Sequence, residues 1–369
     1  MRLGQLQYHL AGLLCSVFLA ALTPVTASGQ LYLQNFTPPG AVQADGSFAH
    51  LMNMTTSTAV RRWDNVGTQW VASGITWYPA LALSPPGDVT PTGGFFVTMQ
   101  ESWIGRKPFL ARWEPTGGAG SWSNYGAPPS MPSVLSGPSA LMYGNRVMLV
   151  GGGELYERFL WGAKTWHSHG KAQNYKPLRN VTPCVLRDGS VFVTTQGGEV
   201  AQMWWDSAVN QWKWHNHGYP EKANAFGTGG VKAVSVGAPM PSTSKVFVTC
   251  DDGSLRQIFH DGSGWVWHNH GKPFGWRIDS TAVSISEGKL FVTGSWNSGS
   301  NTYRTVLQLY YNGSTWVWYD HGPPPGQTSI DGGVAGKFGV DAIAVKGAGS
   351  YYLLFWDWDT HDWRWKKCG

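Results

Sequence analysis

Charged residues are scarce in this chain of 369 residues: Asp, Glu, Lys and Arg together make up 13% of it. The formal net charge is only +5, and Lys and Arg form no cluster along the sequence. Because binding to a phosphate backbone needs a concentrated basic surface, nucleic acid is not expected as a partner. Runs of Ala, Leu, Glu and Lys with helical spacing are also missing, which argues against a helical bundle.

Long apolar segments are absent beyond the N-terminus. The stretch from Leu10 to Leu22 is too short to cross a bilayer, and no later stretch is long enough, so no membrane span is expected. Arg2 before this stretch and the small residues ending at Ala27 predict a secretory signal peptide over residues 1–27. The mature chain, residues 28–369, is therefore predicted to be secreted and extracellular. Export is consistent with four sequons for N-linked glycosylation, at Asn35, Asn53, Asn180 and Asn312.

Cysteine is rare as well, with four residues in the chain. Cys15 falls within the predicted signal peptide, and the odd number that remains allows at most one internal disulfide. A disulfide-stapled scaffold is therefore excluded. The pairing that we consider joins Cys184 to Cys250, because the repeats described below place both near one rim of neighbouring units.

Glycine, proline and tryptophan are abundant instead, with 48, 22 and 22 residues. Aromatic and β-branched side chains suit half-buried pleated surfaces and supply large apolar areas, whereas a disordered chain has few of them. This composition predicts an all-β protein.

A repeated unit runs through the predicted mature chain. Its clearest copies are residues 188–218, 245–271 and 289–322, which share a Val-Phe-Val-Thr-like run, a turn, an aromatic strand and an ending such as Trp-Lys-Trp-His-Asn-His-Gly. The glycines that end the units recur at intervals of about 50 residues, which is typical of propeller blades. Seven such units predict one seven-bladed β-propeller domain with four-stranded antiparallel blades. The seventh unit shows three clear strands, so residues 30–35 are expected to supply its fourth.

The repeat resembles the blades of the seven-bladed propeller lectins of the PLL-like kind. The resemblance rests on the segments VFVTT, GGEVAQMWWDS and VFVTCDDGSLRQIFHDGSGWVWHNHG, in which an aromatic-aromatic-Asp strand and a Trp-containing outer strand recur. It covers the whole mature chain as architecture and is clearest in three units. A binding role for fucose-type or galactose-type sugars is what the resemblance implies. It carries over no binding residues, because the segments that join the units differ in every unit.

Two side-chain patterns near the end of each unit are interpreted as structural. Paired tryptophans such as Trp265 and Trp267 share one face of a strand, so we expect them to pack between neighbouring blades. In the His-Gly step, as at His270-Gly271, we expect an imidazole that hydrogen-bonds a backbone group and a glycine in a left-handed conformation. His268 and His270 also have a spacing that suits a divalent metal, but no third ligand recurs beside such pairs, so no metal or other cofactor is predicted.

The segments between units and the turns between second and third strands are expected on one rim, where they differ from unit to unit. They combine aromatic rings with polar neighbours, which suits a sugar because its apolar face stacks on a ring while its hydroxyls take hydrogen bonds. Trp276 and Arg277, helped by Phe274, are predicted to form the main sugar site. The other candidate ligand-binding residues on this rim are Trp77, Tyr78, Trp103, Trp296 and Tyr175.

These features favour a non-catalytic, lectin-like protein whose partners are glycans or glycoconjugates, held at several shallow sites that act together. Two alternatives stay open: an extracellular glycan-active hydrolase or lyase with one active site, and a protein-binding scaffold. No nucleophile elbow, metalloprotease helix or phosphate loop occurs, and no catalytic residue is predicted. The carboxylates from which an enzyme site would have to be assembled are Glu101, Glu154, Asp251 and Asp252.

Overall fold

A computed structural model of the protein divides into two compact units, Met1–Asn35 and Phe36–Gly369, and every residue that it describes lies in the second. The predicted signal peptide, residues 30–35 and the sequon at Asn35 therefore lie outside the described residues. No helix among those residues is long and apolar enough to cross a membrane. The described residues are 48–53, 58–64, 69–75, 80–82, 94–101, 108–114, 120–129, 135–137, 139–140, 146–160, 165–186, 188–221, 230–240, 244–336 and 340–368.

The described residues form antiparallel β-sheets whose strands follow one another in chain order. Sheet 1 consists of β1 (Phe48–Asn53), β2 (Thr58–Asp64) and β3 (Gln69–Ile75). Sheet 2 consists of β4 (Ala80–Ala82), β5 (Phe95–Glu101), β6 (Pro108–Glu114) and β7 (Ser121–Asn124). Sheet 3 consists of β8 (Ser139–Ala140), β9 (Arg146–Gly151), β10 (Glu154–Phe159) and β11 (Trp166–Gly170). Sheet 4 consists of β12 (Cys184–Val185), β13 (Val191–Thr194), β14 (Val200–Asp206) and β15 (Gln211–Gly218).

The three remaining sheets continue this pattern. Sheet 5 consists of β16 (Ala233–Met240), β17 (Lys245–Cys250), β18 (Leu255–His260) and β19 (Trp265–Gly271). Sheet 6 consists of β20 (Arg277–Ile278), β21 (Val283–Ser286), β22 (Lys289–Ser298), β23 (Asn301–Tyr311) and β24 (Trp316–Gly322). Its first two strands both pair with β22. Sheet 7 consists of β25 (Ala335–Gly336), β26 (Ala342–Gly347), β27 (Ser350–Asp357) and β28 (Asp362–Cys368).

Sheets 2 to 7, with at least four strands each, are the blades of a β-propeller, and we call them blades 2 to 7. The predicted all-β propeller with four-stranded antiparallel blades is confirmed, but the predicted number of seven blades was wrong. In the described part of the chain six blades are complete, and sheet 1 has three strands. The first unit has the most degenerate repeat, so its pattern did not specify a fourth strand.

Blade 7 supplies all four of its strands from the seventh unit. The short strand β25 pairs with β26, with Ala335 opposite Ala344 and Gly336 opposite Ile343. A fourth strand from residues 30–35, which lie outside the described residues, is therefore not needed to give this blade four strands. A two-residue strand containing glycine is too short to show the alternation by which strands are recognised in a sequence.

The second strand of each blade lies at the core because neighbouring blades cover both of its faces. All four residues of β13 are buried, as are Val246 to Cys250 of β17. Strands covered on both faces read as continuous apolar runs, which explains the recurring Val-Phe-Val-Thr sequence. The threonine of this run links blades: the Thr249 hydroxyl donates to the Ser280 carbonyl at 2.7 Å, and the Thr293 hydroxyl donates to the Gly332 carbonyl at 3.3 Å.

In blades 5 to 7 the first tryptophan of the outer strand packs against the preceding blade, as predicted. The ring of Trp265 in blade 5 lies 5.4 Å from that of Phe192 and 4.9 Å from that of His217, both in blade 4. The same trio recurs between blades 5 and 6 and between blades 6 and 7, as Phe247, His270 and Trp316 and as Phe291, His321 and Trp363. These edge-on aromatic contacts join each blade to the next.

The His-Gly step forms a bulge at the end of the outer strand. Gly170, Gly218, Gly271 and Gly322 have φ values between +68° and +74°, which confirms the predicted left-handed conformation. Each ladder shifts register at this glycine, as at Val200 opposite Gly218. A β-bulge with glycine in this conformation explains why the step recurs.

The imidazole of the step is bound to a side chain and not, as predicted, to a backbone group. Nε2 lies 2.9 to 3.0 Å from Oε1 of a glutamine on the third strand in three blades, in the pairs His217–Gln202, His270–Gln257 and His321–Gln308. In blade 3 a carboxylate takes this place, and His169 lies 3.1 Å from Glu157. Burial lowers the pKa of His217 and His270 to about 3 and that of His321 to about 4.

Cys184 and Cys250 are buried in one apolar cluster between blades 4 and 5, and both are free thiols. The disulfide that we considered is therefore not formed in this structure. Cys368, at the end of β28, is also free and buried. Burial raises the pKa of each of these thiols to about 12.

Candidate functional site

One rim of the propeller, which we call the upper rim, carries both the segments that join blades and the turns between second and third strands. The Leu178 amide donates to the Gly153 carbonyl at 2.8 Å, and the Ile278 amide donates to the Gly253 carbonyl at 2.9 Å. In each case a joining segment is hydrogen-bonded to the turn between the second and third strands of the blade that it leaves. We call this turn the inner turn of the blade. The predicted location of these two kinds of loop on a common rim is thus confirmed.

The segment between blades 3 and 4 presents an aromatic side chain to solvent. Residues Gln173–Tyr175 form a single 3-10 turn in which Asn174 and Tyr175 have positive φ values. This backbone turns the Tyr175 side chain outward, and it is 88% exposed. We call this turn the Tyr175 turn.

Polar side chains surround the Tyr175 turn. The Lys176 ammonium donates to Glu199 at 2.7 Å, and Glu199 also accepts from the Asn216 amide nitrogen at 3.2 Å. Gln173 Oε1 accepts from the Asn216 backbone amide at 3.2 Å. The exposed ring therefore stands beside an ordered set of donors and acceptors from the segment and from blade 4.

The segment between blades 5 and 6 repeats this backbone geometry. Residues Pro273–Gly275 form a 3-10 turn in which Phe274 and Gly275 have φ values of +54° and +78°. Pro273 is buried, and Phe274 is 64% exposed. We call this turn the Phe274 turn.

Trp276 and Arg277, the predicted main sugar site, are both involved in holding the Phe274 turn. Trp276 is half-buried against an apolar cluster between blades 5 and 6 that includes Leu255 and Leu307. The exposed Arg277 side chain donates to the Asp251 carbonyl at 2.9 Å, within the inner turn of blade 5. Phe274 is thus the ring of this segment that is most accessible to a ligand.

Blade 6 extends above the upper rim as a long hairpin formed by β22 and β23. Its tip contains Trp296, 53% exposed, whose ring lies 6.0 Å from that of Tyr303 on the opposite strand at an interplanar angle of 31°. The Thr302 hydroxyl donates to Asn297 Oδ1 at 2.9 Å. The two rings form a supported aromatic platform with amide and hydroxyl groups beside it.

Sheet register brings the hairpin next to the Phe274 turn. Arg277 is opposite Ser295, and Ser295 is opposite Arg304, which pairs with Asp279 at 2.8 Å. The predicted residues Phe274, Trp276, Arg277 and Trp296 therefore belong to one part of the rim, whereas Tyr175 lies at another blade junction. Tyr303 was not predicted as a site residue, because its position beside Trp296 depends on the length of the β22–β23 hairpin. Once the turn between Ser298 and Asn301 is known, the register places Tyr303 opposite Trp296.

Several predicted residues are not placed by the structure. Trp77, Tyr78 and Trp103 lie outside the described residues, and only the backbone is described for Asn53 and Glu101. Asn180 and Asn312 are exposed, so both sequons remain compatible with glycosylation.

The carboxylates considered for an enzyme site have roles within the fold. Glu154 accepts hydrogen bonds from the Tyr156 and Ser168 hydroxyls at 3.1 and 3.3 Å. Asp251 and Asp252 accept from the Lys232 and Ser254 backbone amides at 3.0 and 2.8 Å. Among the described side chains, no group of three or more His, Cys, Asp or Glu is arranged to hold a metal ion.

Comparison with solved structures supports the fold. YCF48 from Cyanidioschyzon merolae is 14% identical with a TM-score of 0.53, over 87% of this chain and 94% of that one. A putative 6-phosphogluconolactonase from Bacteroides fragilis is 8% identical with a TM-score of 0.52, over 92% and 95% of the two chains. Prolyl endopeptidases match at 13% identity with a TM-score of 0.57 over 89% of this chain, which spans only 48% of theirs.

No protein-family model matches the chain, and no curated protein matches it. At these identities the solved structures show the propeller fold alone, and the resemblance to the PLL-like lectins is not confirmed.

Proposed function

We propose that the protein is a secreted, non-catalytic carbohydrate-binding propeller whose glycan sites lie on the upper rim. One observation carries the proposal: Tyr175, Phe274 and Trp296 all present exposed rings on this rim beside hydrogen-bonding side chains. Aromatic side chains contribute strongly to binding when their rings are preordered and accessible. The Tyr175 and Phe274 turns have similar backbone geometry at two different blade junctions, with the ring on the third residue of one turn and on the second residue of the other.

Repetition of the turn favours a lectin-like function over an enzyme. A multivalent binder needs comparable shallow sites in several repeats, and weak sites acting together give high avidity. A hydrolase or lyase needs a single constellation of catalytic groups, whereas Glu154, Asp251 and Asp252, among the carboxylates considered for it, accept hydrogen bonds from neighbouring groups of the fold. The similarity to a putative lactonase and to prolyl endopeptidases is one of fold, which many unrelated functions share.

A glycan array probed with the purified mature chain tests the proposal. The variant Tyr175→Ala/Phe274→Ala/Trp296→Ala removes the three exposed rings and should retain the parent's unfolding temperature, because little buried area is lost. We expect the parent to bind a defined set of glycans and the triple variant to lose them. Absence of any glycan bound by the parent, or full binding by a folded triple variant, would contradict the proposal.

A further inference from the structure

The opposite rim, which we call the lower rim, carries the turns between third and fourth strands and the starts of the second strands. There the last residues of the third strand place a ring against the first tryptophan of the fourth. Tyr311 lies 5.6 Å from Trp316 in blade 6, and Trp356 lies 5.6 Å from Trp363 in blade 7, as measured between ring centroids. Tyr311 is 48% exposed, and Trp358, 6.3 Å from Trp356, is 66% exposed.

A lysine from the preceding blade reaches each of these aromatic groups. The Lys245 ammonium of blade 5 lies 5.9 Å from the ring centroid of Trp316, and the Lys289 ammonium of blade 6 lies 5.5 Å from that of Trp356. Lys245 is the first residue of β17 and Lys289 is the first residue of β22. Lys245 contacts the tryptophan that begins the fourth strand of the next blade, whereas Lys289 contacts the ring near the end of the third strand. Contact with a ring face fixes the position of an ammonium group.

These two ammonium groups differ from Lys213 and Arg364 on the same rim, since neither ammonium group has an acidic partner among the described residues. Lys213 pairs with Asp206 at 2.5 Å, and Arg364 pairs with Asp357 at 3.0 Å. Within the described part of the chain, no carboxylate lies within 4.0 Å of the Lys245 or Lys289 ammonium. Each of these two aromatic-lysine clusters thus combines an accessible ring with a positioned charge that no described carboxylate neutralises.

We propose that these two aromatic-lysine clusters, Lys245 with Tyr311 and Trp316 and Lys289 with Trp356 and Trp358, bind an acidic polysaccharide. The ring accommodates the apolar face of a sugar, and the ammonium pairs with a carboxylate carried by that sugar. Two clusters that each combine a lysine with two aromatic rings, at neighbouring blade junctions, suit a polymer that presents the same group repeatedly. The inference concerns another surface and another ligand class than the upper rim, and it does not rest on the proposed function.

Polygalacturonate is the probe for this proposal, measured by calorimetry with the mature chain. The variant Lys245→Met/Lys289→Met keeps most of each aliphatic stem and should bind at least about tenfold more weakly, because two charge-assisted contacts are lost. Lys213→Met is the matched control: it removes a positive charge on the same rim, but one that Asp206 already neutralises, and it should bind like the parent. Tyr311→Ala/Trp358→Ala should also weaken binding, since the platforms are lost while both lysines remain.

Three results would overturn the proposal: no binding of polygalacturonate by the parent, equal loss in Lys213→Met, or unchanged binding by the folded double lysine variant. Thermal unfolding of every variant establishes that it is folded. Glycans identified on the array should bind the double lysine variant normally, and the upper-rim triple variant should keep its polygalacturonate binding. Failure of one proposal is therefore distinguishable from failure of the other.

Discussion

The indole nitrogen of Trp318 in blade 6 donates a hydrogen bond to the backbone carbonyl of His270 in blade 5 at 2.9 Å. The indole nitrogen of Trp214 in blade 4 makes the same bond to the backbone carbonyl of His169 in blade 3, at 3.2 Å. The carbonyl belongs to the His-Gly bulge, so the second tryptophan of one blade is bonded to the corner of the previous one. Blade contacts therefore depend on the two motifs that dominate the sequence.

Trp318→Phe removes this hydrogen bond while keeping an aromatic ring at the junction. We expect a loss of about 1 to 2 kcal/mol in the free energy of unfolding, because a partly buried carbonyl loses its donor. Trp318→Ala should cost more, about 3 to 5 kcal/mol, because a cavity is left as well. Urea unfolding measures both. The exposed Trp358→Phe is the control, expected within about 0.5 kcal/mol of the parent, and an equal effect in the control would contradict the account.

Stability should fall on acidification because three histidines are buried in neutral form. Their folded pKa values are about 3 for His217 and His270 and about 4 for His321, against an ordinary value of 6.5. Between pH 6.5 and about 3 the unfolded chain binds more protons than the folded one, so the free energy of unfolding declines as the pH is lowered and is highest above 6.5.

Urea titrations at several pH values between 7 and 4 measure this decline. His270→Gln should be less stable than the parent at pH 7 and should show a smaller decline, since one of the three groups is gone. His268→Gln removes the exposed histidine whose charge also lowers the pKa of His270, so it should reduce the decline by less than His270→Gln does. A pH-independent parent would refute the burial of neutral imidazoles.

Buried thiols should be unreactive in the folded protein. With pKa values of about 12, Cys184 and Cys250 are protonated at neutral pH, and the thiolate is the reactive form. We expect a maleimide reagent to label neither residue in native protein and both in urea without reductant. Labelling that appears only after reduction would show a disulfide that the structure does not contain.

Asn312 should carry an N-linked glycan when the protein is made in a secretory pathway. Its Oδ1 accepts from the Ser314 amide and hydroxyl, both at 3.0 Å, in an exposed turn. Asp261 forms the same turn in blade 5, accepting from Ser263 at 2.9 and 2.7 Å. Asn312→Asp therefore removes the amide to which a glycan is attached but keeps the hydrogen bonds that form the turn. Mass spectrometry of the peptide that contains residue 312 should find a glycosidase-sensitive mass in the parent alone, and a secreted parent in which this peptide is unmodified would contradict the prediction.

The sequence predicted the blades well where one repeat contains the whole pattern. The paired tryptophans of the outer strands and the His-Gly step each sit within a few residues, so their roles as packing groups and left-handed corners could be predicted. Gln202 was missed as the partner of His217 because it lies on another strand, and only sheet register brings the two together. Sheet 1 and β25 were misjudged because short or degenerate strands show too little alternation.

The candidate site was predictable in its location but not in its accessibility. Phe274 and Trp276 are two residues apart and both aromatic, yet one is exposed and the other packs between blades. This difference arises from the positive φ values at Phe274 and Gly275, which the sequence signals only through the glycine. Arg277 likewise bonds an inner turn that is distant in the chain.

The affinity of Trp296→Ala for a glycan that the parent binds tests the central claim most directly. Trp296 is exposed above the upper rim and supported by Tyr303, so its removal should leave the fold intact and take away the sugar platform. Isothermal titration should show an affinity about 5- to 30-fold weaker, since stacking on one aromatic ring is worth roughly 1 to 2 kcal/mol. Trp205→Ala, an exposed tryptophan on the lower rim of blade 4, should bind like the parent. Parent-like affinity in Trp296→Ala, or an equal loss in Trp205→Ala, would contradict a glycan site on the upper rim.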